Sequence, residues 1–130
     1  MRYDPYREPQ RDEWLATDEG ERTELVRTYH KRKGVVLPNA LLHAAIHVTV
    51  ENQIALGDEL PVKKKLSDLL REGLDRHDAI HAIGSVLAEH MYHIMKGELQ
   101  EEDPNPKYLE ALSQLTVKSW REYYSSDNER

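Results

Sequence analysis

Two histidine pairs carry most of the chemistry this sequence can offer. His43 and His47 stand four residues apart, Glu51 follows four later, and His77 and His81 repeat the spacing. On a helix, residues four apart lie one above the other. His43, His47 and Glu51 therefore form one polar ridge, and His77 with His81 forms another. Facing ridges would bring four imidazoles and a carboxylate to one space, the donor set of a metal site between the helices of a bundle. Such donors suit a divalent transition metal. Zinc is the first choice because four-coordinate nitrogen and oxygen sites are its habit, and iron, manganese or nickel are further candidates. The chain has no cysteine, which removes thiolate ligands, disulfides and cysteine nucleophiles.

Other chemistries find less support. His77-Asp78-Ala79-Ile80-His81 has the form of the zincin motif with Asp where the general base is normally Glu, one methylene short of its task. His43-Ala44-Ala45-Ile46-His47 has alanine at that position. His77-Asp78, with His43 or His47 about thirty residues before it, resembles HD-domain metal phosphohydrolases at those residues alone, and the closing aspartate would have to be Asp103 in a proline-rich link. Thr49 and Ser85 lie on no strand-to-helix turn and no Gly-rich phosphate loop occurs, so nucleophilic catalysis is not expected. Asn52 and Gln53 read as hydrogen-bond partners that lock side chains. His90 and His93 fall on the other side of their helix, with Glu89, and are expected at the surface. His30, in a basic helix end, is expected only to interact with the helix C-terminus.

The elements that position these residues read as helices. Thr17 or Asp18 caps a first helix through Leu25, Val26 and Tyr29, which stops at Gly34 after Lys31, Arg32 and Lys33. Pro38 or Asn39 opens a second from Ala40 to Leu56, apolar on nearly every face and so expected in the middle of the domain. Gly57-Asp58 ends it. Pro61 starts a third helix with Val62, Leu66, Leu69 and Leu70, and Gly73 stops that one. Asp75 caps a fourth running to about Met95. An acidic link from Glu98 to Lys107 leads to a last helix, about Tyr108 to Tyr124, with Leu109, Leu112, Leu115, Trp120 and Tyr123 on one side. No segment alternates long enough for a strand.

This predicts an all-α protein, a single compact bundle of about five helices. Residues 1–13 are expected to be a loose arm, 14–97 the histidine-bearing core, and 98–130 a linker and amphipathic helix packed on the same domain. With 18 basic against 24 acidic residues the net charge is -6, which disfavours nucleic acid as a partner. No apolar run approaches the roughly twenty residues that span a bilayer, and no signal sequence opens the chain. No membrane partner and a cytoplasmic, bacterial-type protein are therefore expected.

The stretches WLATDEGERTELVRTYH, LPNALLHAAIHVTVENQIALGD and EGLDRHDAIHAIGSVLAEHMY resemble a small bacterial helical family, domain of unknown function 1841. Its pattern matches Asn39, His43, His47, Glu51, Gln53, His77 and His81 over about Trp14 to Met95. The resemblance implies no activity. The residues thus leave two readings: a protein binding divalent metal through His43, His47, Glu51, His77 and His81, with hydrolysis of an unknown small molecule undecided, or a non-catalytic interaction module with a buried histidine cluster. In the second reading the apolar second helix or the amphipathic last one would support a homodimer.

Overall fold

The computed structural model describes residues 1–57, 60–98, 103 and 105–123. These form seven α-helices and no strand: α1 (Arg11–Ala16), α2 (Glu19–Arg32), α3 (Ala40–Ala55), α4 (Val62–Arg71), α5 (Arg76–Met95), α6 (Asn105–Ser113) and α7 (Val117–Tyr123). The all-α expectation holds, with seven helices in place of about five.

Side-chain caps set the starts of the long helices. Asp18, Asn39 and Asp75 each accept a backbone N–H of the following turn, from Gly20, Leu42 and Asp78 respectively. The end of α2 is a Schellman turn, in which Val35 N–H bonds His30 C=O, Gly34 N–H bonds Lys31 C=O, and Gly34 takes a φ of 73°.

The two extra helices have local causes. Gln10 caps α1 by accepting from Glu13 N–H, which makes a short helix of a segment too brief to show periodicity. The single last helix is broken at Gln114–Thr116. Thr116 Oγ1 accepts from Ser119 N–H, Ser119 Oγ accepts from Thr116 N–H, and Val117 N–H bonds Glu72 Oε1 at the C-cap of α4. This reciprocal capping box restarts the helix as α7. Asp58, the centre of the link before α6, and the expected end at Tyr124 lie outside the described residues.

Two apolar clusters form. The larger joins the C-terminal half of α3 to α4, α5, α6 and α7 through Val50, Ile54, Leu69, Ile80, Ile83, Leu112 and Trp120, among others. The smaller gathers Tyr3, Trp14, Val26, Tyr29, Ala44 and Val48. Within residues 1–10, Tyr3 and Pro5 are buried against the bundle, Tyr3 being only 2% exposed. Helix α3 is not buried all round: Ala44, His47, Val48, Val50, Glu51 and Ile54 face inward, while Leu41 and Leu42 remain 58% and 50% exposed.

A close crossing of α3 and α5 sets the distance between the histidine ridges. A Cβ added at Gly84 would stand 2.8 Å from Ile46 Cγ2, so the small residue lets the helices approach. One turn before Gly84 on α5 is His81, and His47 follows Ile46 directly on α3.

Candidate metal centre

The pocket is built by α2, α3 and α5. One ligand-type atom from each of His30, His47, His77 and His81 lies within 4.8 Å of the other three. His47 Nε2 and His81 Nε2 are 3.1 Å apart, and His43 Nε2 stands 3.2 Å from His30 Nε2. Nitrogens in a tetrahedral zinc shell, with Zn–N near 2.0–2.1 Å, would be about 3.3 Å apart. His30 and His47 are buried, whereas His43, His77 and His81 are half-buried at the rim.

Partners outside the pocket fix which nitrogens face it as lone pairs. Val26 C=O can only accept, so its 2.9 Å contact with His30 Nδ1 places the proton on that nitrogen and leaves Nε2 with a lone pair. Tyr3 donates its hydroxyl proton to Glu51 Oε2 at 2.6 Å, so at 3.1 Å from His47 Nδ1 it accepts, and His47 carries its proton there. Both Nε2 lone pairs therefore turn inward. The 3.1 and 3.2 Å contacts are N–H···N bonds with His81 and His43 as donors. His77 Nε2 is buried without a hydrogen-bond partner among the described residues, an arrangement that is costly unless something else engages it.

Glu51 sits behind this layer. Arg76 NH2 donates to its Oε1 at 2.7 Å, Arg76 NH1 donates to its Oε2 at 2.8 Å, and Tyr3 takes the remaining place. Both oxygens are engaged by these partners, and the close-set ligand atoms are imidazole nitrogens alone. Of the five residues read from the sequence as ligands, His47, His77 and His81 thus come together, His43 borders them, and Glu51 orients His47 through Tyr3. A hydrogen-bonded group behind a ligating histidine fixes ring and tautomer in just this manner.

Three participants were missed. His30 points into the pocket instead of serving the helix end; it follows Val26 by four residues, which places it on the buried stripe of α2. Arg76 is the cation a buried carboxylate requires, and its place beside His77 was the available signal. Tyr3 lies in a segment with no period to read.

Burial and crowding disfavour charge on four of the imidazoles. Burial, then the neighbouring His81 and His30, lowers the pKa of His43 to about 4. Burial followed chiefly by His30 does the same for His77, and burial followed by His77 and His30 lowers His81 to about 4. His47 is pushed well below the ordinary histidine value by burial and then by His81. Neutral imidazole is the form that ligates metal.

The hydrolase motifs do not assemble here. Burial raises the Asp78 pKa, with Asp75 and Arg121 the charges acting on it and no histidine among them. Asp103 Oδ1 accepts from Asn105 N–H at 3.0 Å, at the entry to α6. Thr49 and Ser85 bond the carbonyls of Ala45 and His81 within their own helices. Asn52 Oδ1 accepts from Trp14 Nε1 and Arg22 NH1, and Gln53 accepts from the Tyr108 hydroxyl, so both are locking groups as expected. His93 pairs with Glu98 and Glu89, while His90 packs on Tyr108 with ring centroids 5.6 Å apart instead of lying free at the surface. A cavity of about 200 Å³ beside the N-terminal segment is lined by Glu8, Arg11, Trp14, Glu51 and Lys63 among others, and holds none of the histidines.

A family model described as a domain of unknown function, DUF1841, matches residues 9–125. The chain belongs to this family. The DUF1841 match takes in the five clustered histidines, Glu51 and Arg76, and leaves residues 1–8, Tyr3 among them, outside. No curated protein and no solved structure matches the chain. Among the described residues of this DUF1841 protein, no helix is long and apolar enough to cross a membrane.

Proposed function

We propose that this DUF1841 protein binds one divalent transition metal through His30, His47, His77 and His81, with His43 at the rim. The observation that carries the reading is the convergence of four imidazole nitrogens within 4.8 Å of one another. Support comes from the two outward N–H groups that leave His30 and His47 lone pairs inside, and from the unengaged His77 Nε2. An all-nitrogen set favours zinc, copper, nickel, cobalt or iron over magnesium and calcium, and zinc remains the first choice. A hydrolytic role would need an acid or base beside the metal. His43, outside the four proposed ligands and with its Nε2 3.2 Å from His30 Nε2, is the candidate, so hydrolysis would depend on it.

The test is elemental analysis and zinc titration of the full chain carrying no affinity tag. About one metal per chain is expected, lost in His47→Ala. Sub-stoichiometric metal that does not rise on adding zinc, cobalt or iron would sink the reading.

One observation favours a rival. The N–H···N pairs already satisfy four histidines, and Val36, Leu41 and Leu42 expose apolar surface beside the start of α3. A non-catalytic module that self-associates there would keep its mass and partner binding in His47→Ala and lose only thermal stability.

A further inference from the structure

We propose that residues 3–6 are a strap whose docking is coupled to occupancy of the histidine pocket, and that Tyr3 is the positioning residue that makes the coupling. The inference rests on the metal reading above and extends it to a segment that the family match does not include.

Four anchors tie this segment to the pocket. The Tyr3 hydroxyl joins His47 Nδ1 to Glu51. The Tyr3 ring is 2% exposed and packs against Trp14, Tyr29 and His47, with centroids 5.8, 6.1 and 6.0 Å away. Pro5 C=O accepts from Arg76 NH1 at 3.0 Å, and that same guanidinium nitrogen holds Glu51. The Tyr6 ring stands edge-on to His77 at 5.3 Å. Two of the residues these anchors touch, His47 and His77, belong to the four clustered histidines.

The coupling follows from where the His47 proton resides. A metal on Nε2 requires the proton on Nδ1, and Tyr3 is the acceptor that holds it there. Ligation draws charge from the ring and makes Nδ1–H a stronger donor, which tightens the bond to Tyr3. A docked strap in turn removes the tautomer in which Nε2 is protonated and closed to metal. Linkage makes the two effects equal in free energy, so whatever the strap contributes to affinity, the metal returns to the strap.

Tyr3→Phe keeps the ring in its aromatic surroundings and removes only the hydroxyl. In the full chain, zinc affinity is expected to fall 10- to 100-fold, the range for loss of a group that orients a ligand histidine. Nitrogen NMR should show His47 protonated at Nδ1 in the parent chain and mixed between nitrogens in the variant, a change that a purely structural role would not produce. Zinc should also slow hydrogen exchange at the amides of Tyr6 and Arg7, which bond Asp4 in the turn of the strap. Equal zinc affinity in the two chains, or exchange at Tyr6 and Arg7 that zinc leaves unchanged, would overturn the coupling while the metal reading stands. A parent chain that takes up no zinc overturns the metal reading and the coupling with it. If Tyr3→Phe does not fold, the exchange measurement on the parent chain decides alone.

Discussion

The two faces of the α3–α5 pair differ in what holds them together. On one face α5 enters the large cluster, where Ile80, Ile83, Val86 and Leu87 join Val50, Ile54, Leu69 and Leu112 in apolar contact. On the other the same two helices meet through imidazoles, and four buried polar residues, His47, Glu51 and Arg76 with His30 of α2, lie on that side. Apolar contact is non-directional and insensitive to protons. A buried polar layer is stable only when every member has its partner. The histidine half is therefore the part of the molecule that pH or an ion can move, and the apolar half is the frame that holds the ridges at a fixed spacing.

Acid should separate the halves most strongly. His43, His77 and His81 each fall to about 4 in the folded chain, against an ordinary value near 6.5. The unfolded chain thus binds more protons between these values, and the stability present above pH 6.5 is lost as pH falls toward 4. Melting temperature should be flat from pH 7 to 8 and drop steeply from 6.5 downward. Near-ultraviolet signals from Tyr3 and Trp14 should change before those of Trp120.

Breaking the carboxylate pair comes next. Arg76→Ala leaves Glu51 buried and uncompensated, at a cost of about 3–5 kcal/mol by chemical denaturation, whereas Arg76→Met with Glu51→Leu should recover most of the loss. Zinc at a hundredfold excess over its dissociation constant should add about 2.7 kcal/mol to the parent chain and nothing to His47→Ala, read as a shift in melting temperature. Gly84→Ala forces a methyl against Ile46 Cγ2, a branched carbon that helical rotamers hold stiffly, and should cost about 1–3 kcal/mol. It should also weaken zinc binding by spreading the ridges. The control in the apolar half is Thr116→Ala, which removes the α7 cap for about 1 kcal/mol and leaves zinc affinity untouched.

The same division governs what the sequence discloses. Helix starts at Asp18, Asn39 and Asp75 were legible, the first two to within one residue, because capping is local chemistry. Two HxxxH pairs were legible because a helix repeats every 3.6 residues. The break at Gln114–Thr116 was not, since Leu112, Leu115 and Trp120 keep helical spacing straight through it, and only Glu72 and Ser119 in three dimensions make the corner. Glu51 lies on the same ridge as His43 and His47 and carries a ligand's side chain. What separates it from a ligand is a guanidinium 25 residues away. His30 was hidden by the basic run around it, and Tyr3 by the lack of any period in its segment.

The contacts of the N-terminal segment span unusually long stretches of chain: 48 residues from Tyr3 to Glu51 and 71 from Pro5 to Arg76. Neighbours such as α4 and α5 are joined by a link of only a few residues. Closing a long loop costs chain entropy before any contact repays it, so local pairs assemble early and distant ones late. This ordering predicts that the neighbouring helices α2 to α5 pair first and that the first six residues arrive last. The histidine pocket would then stand without its Tyr3 partner for most of the folding reaction, and the closing step would be the arrival of one tyrosine.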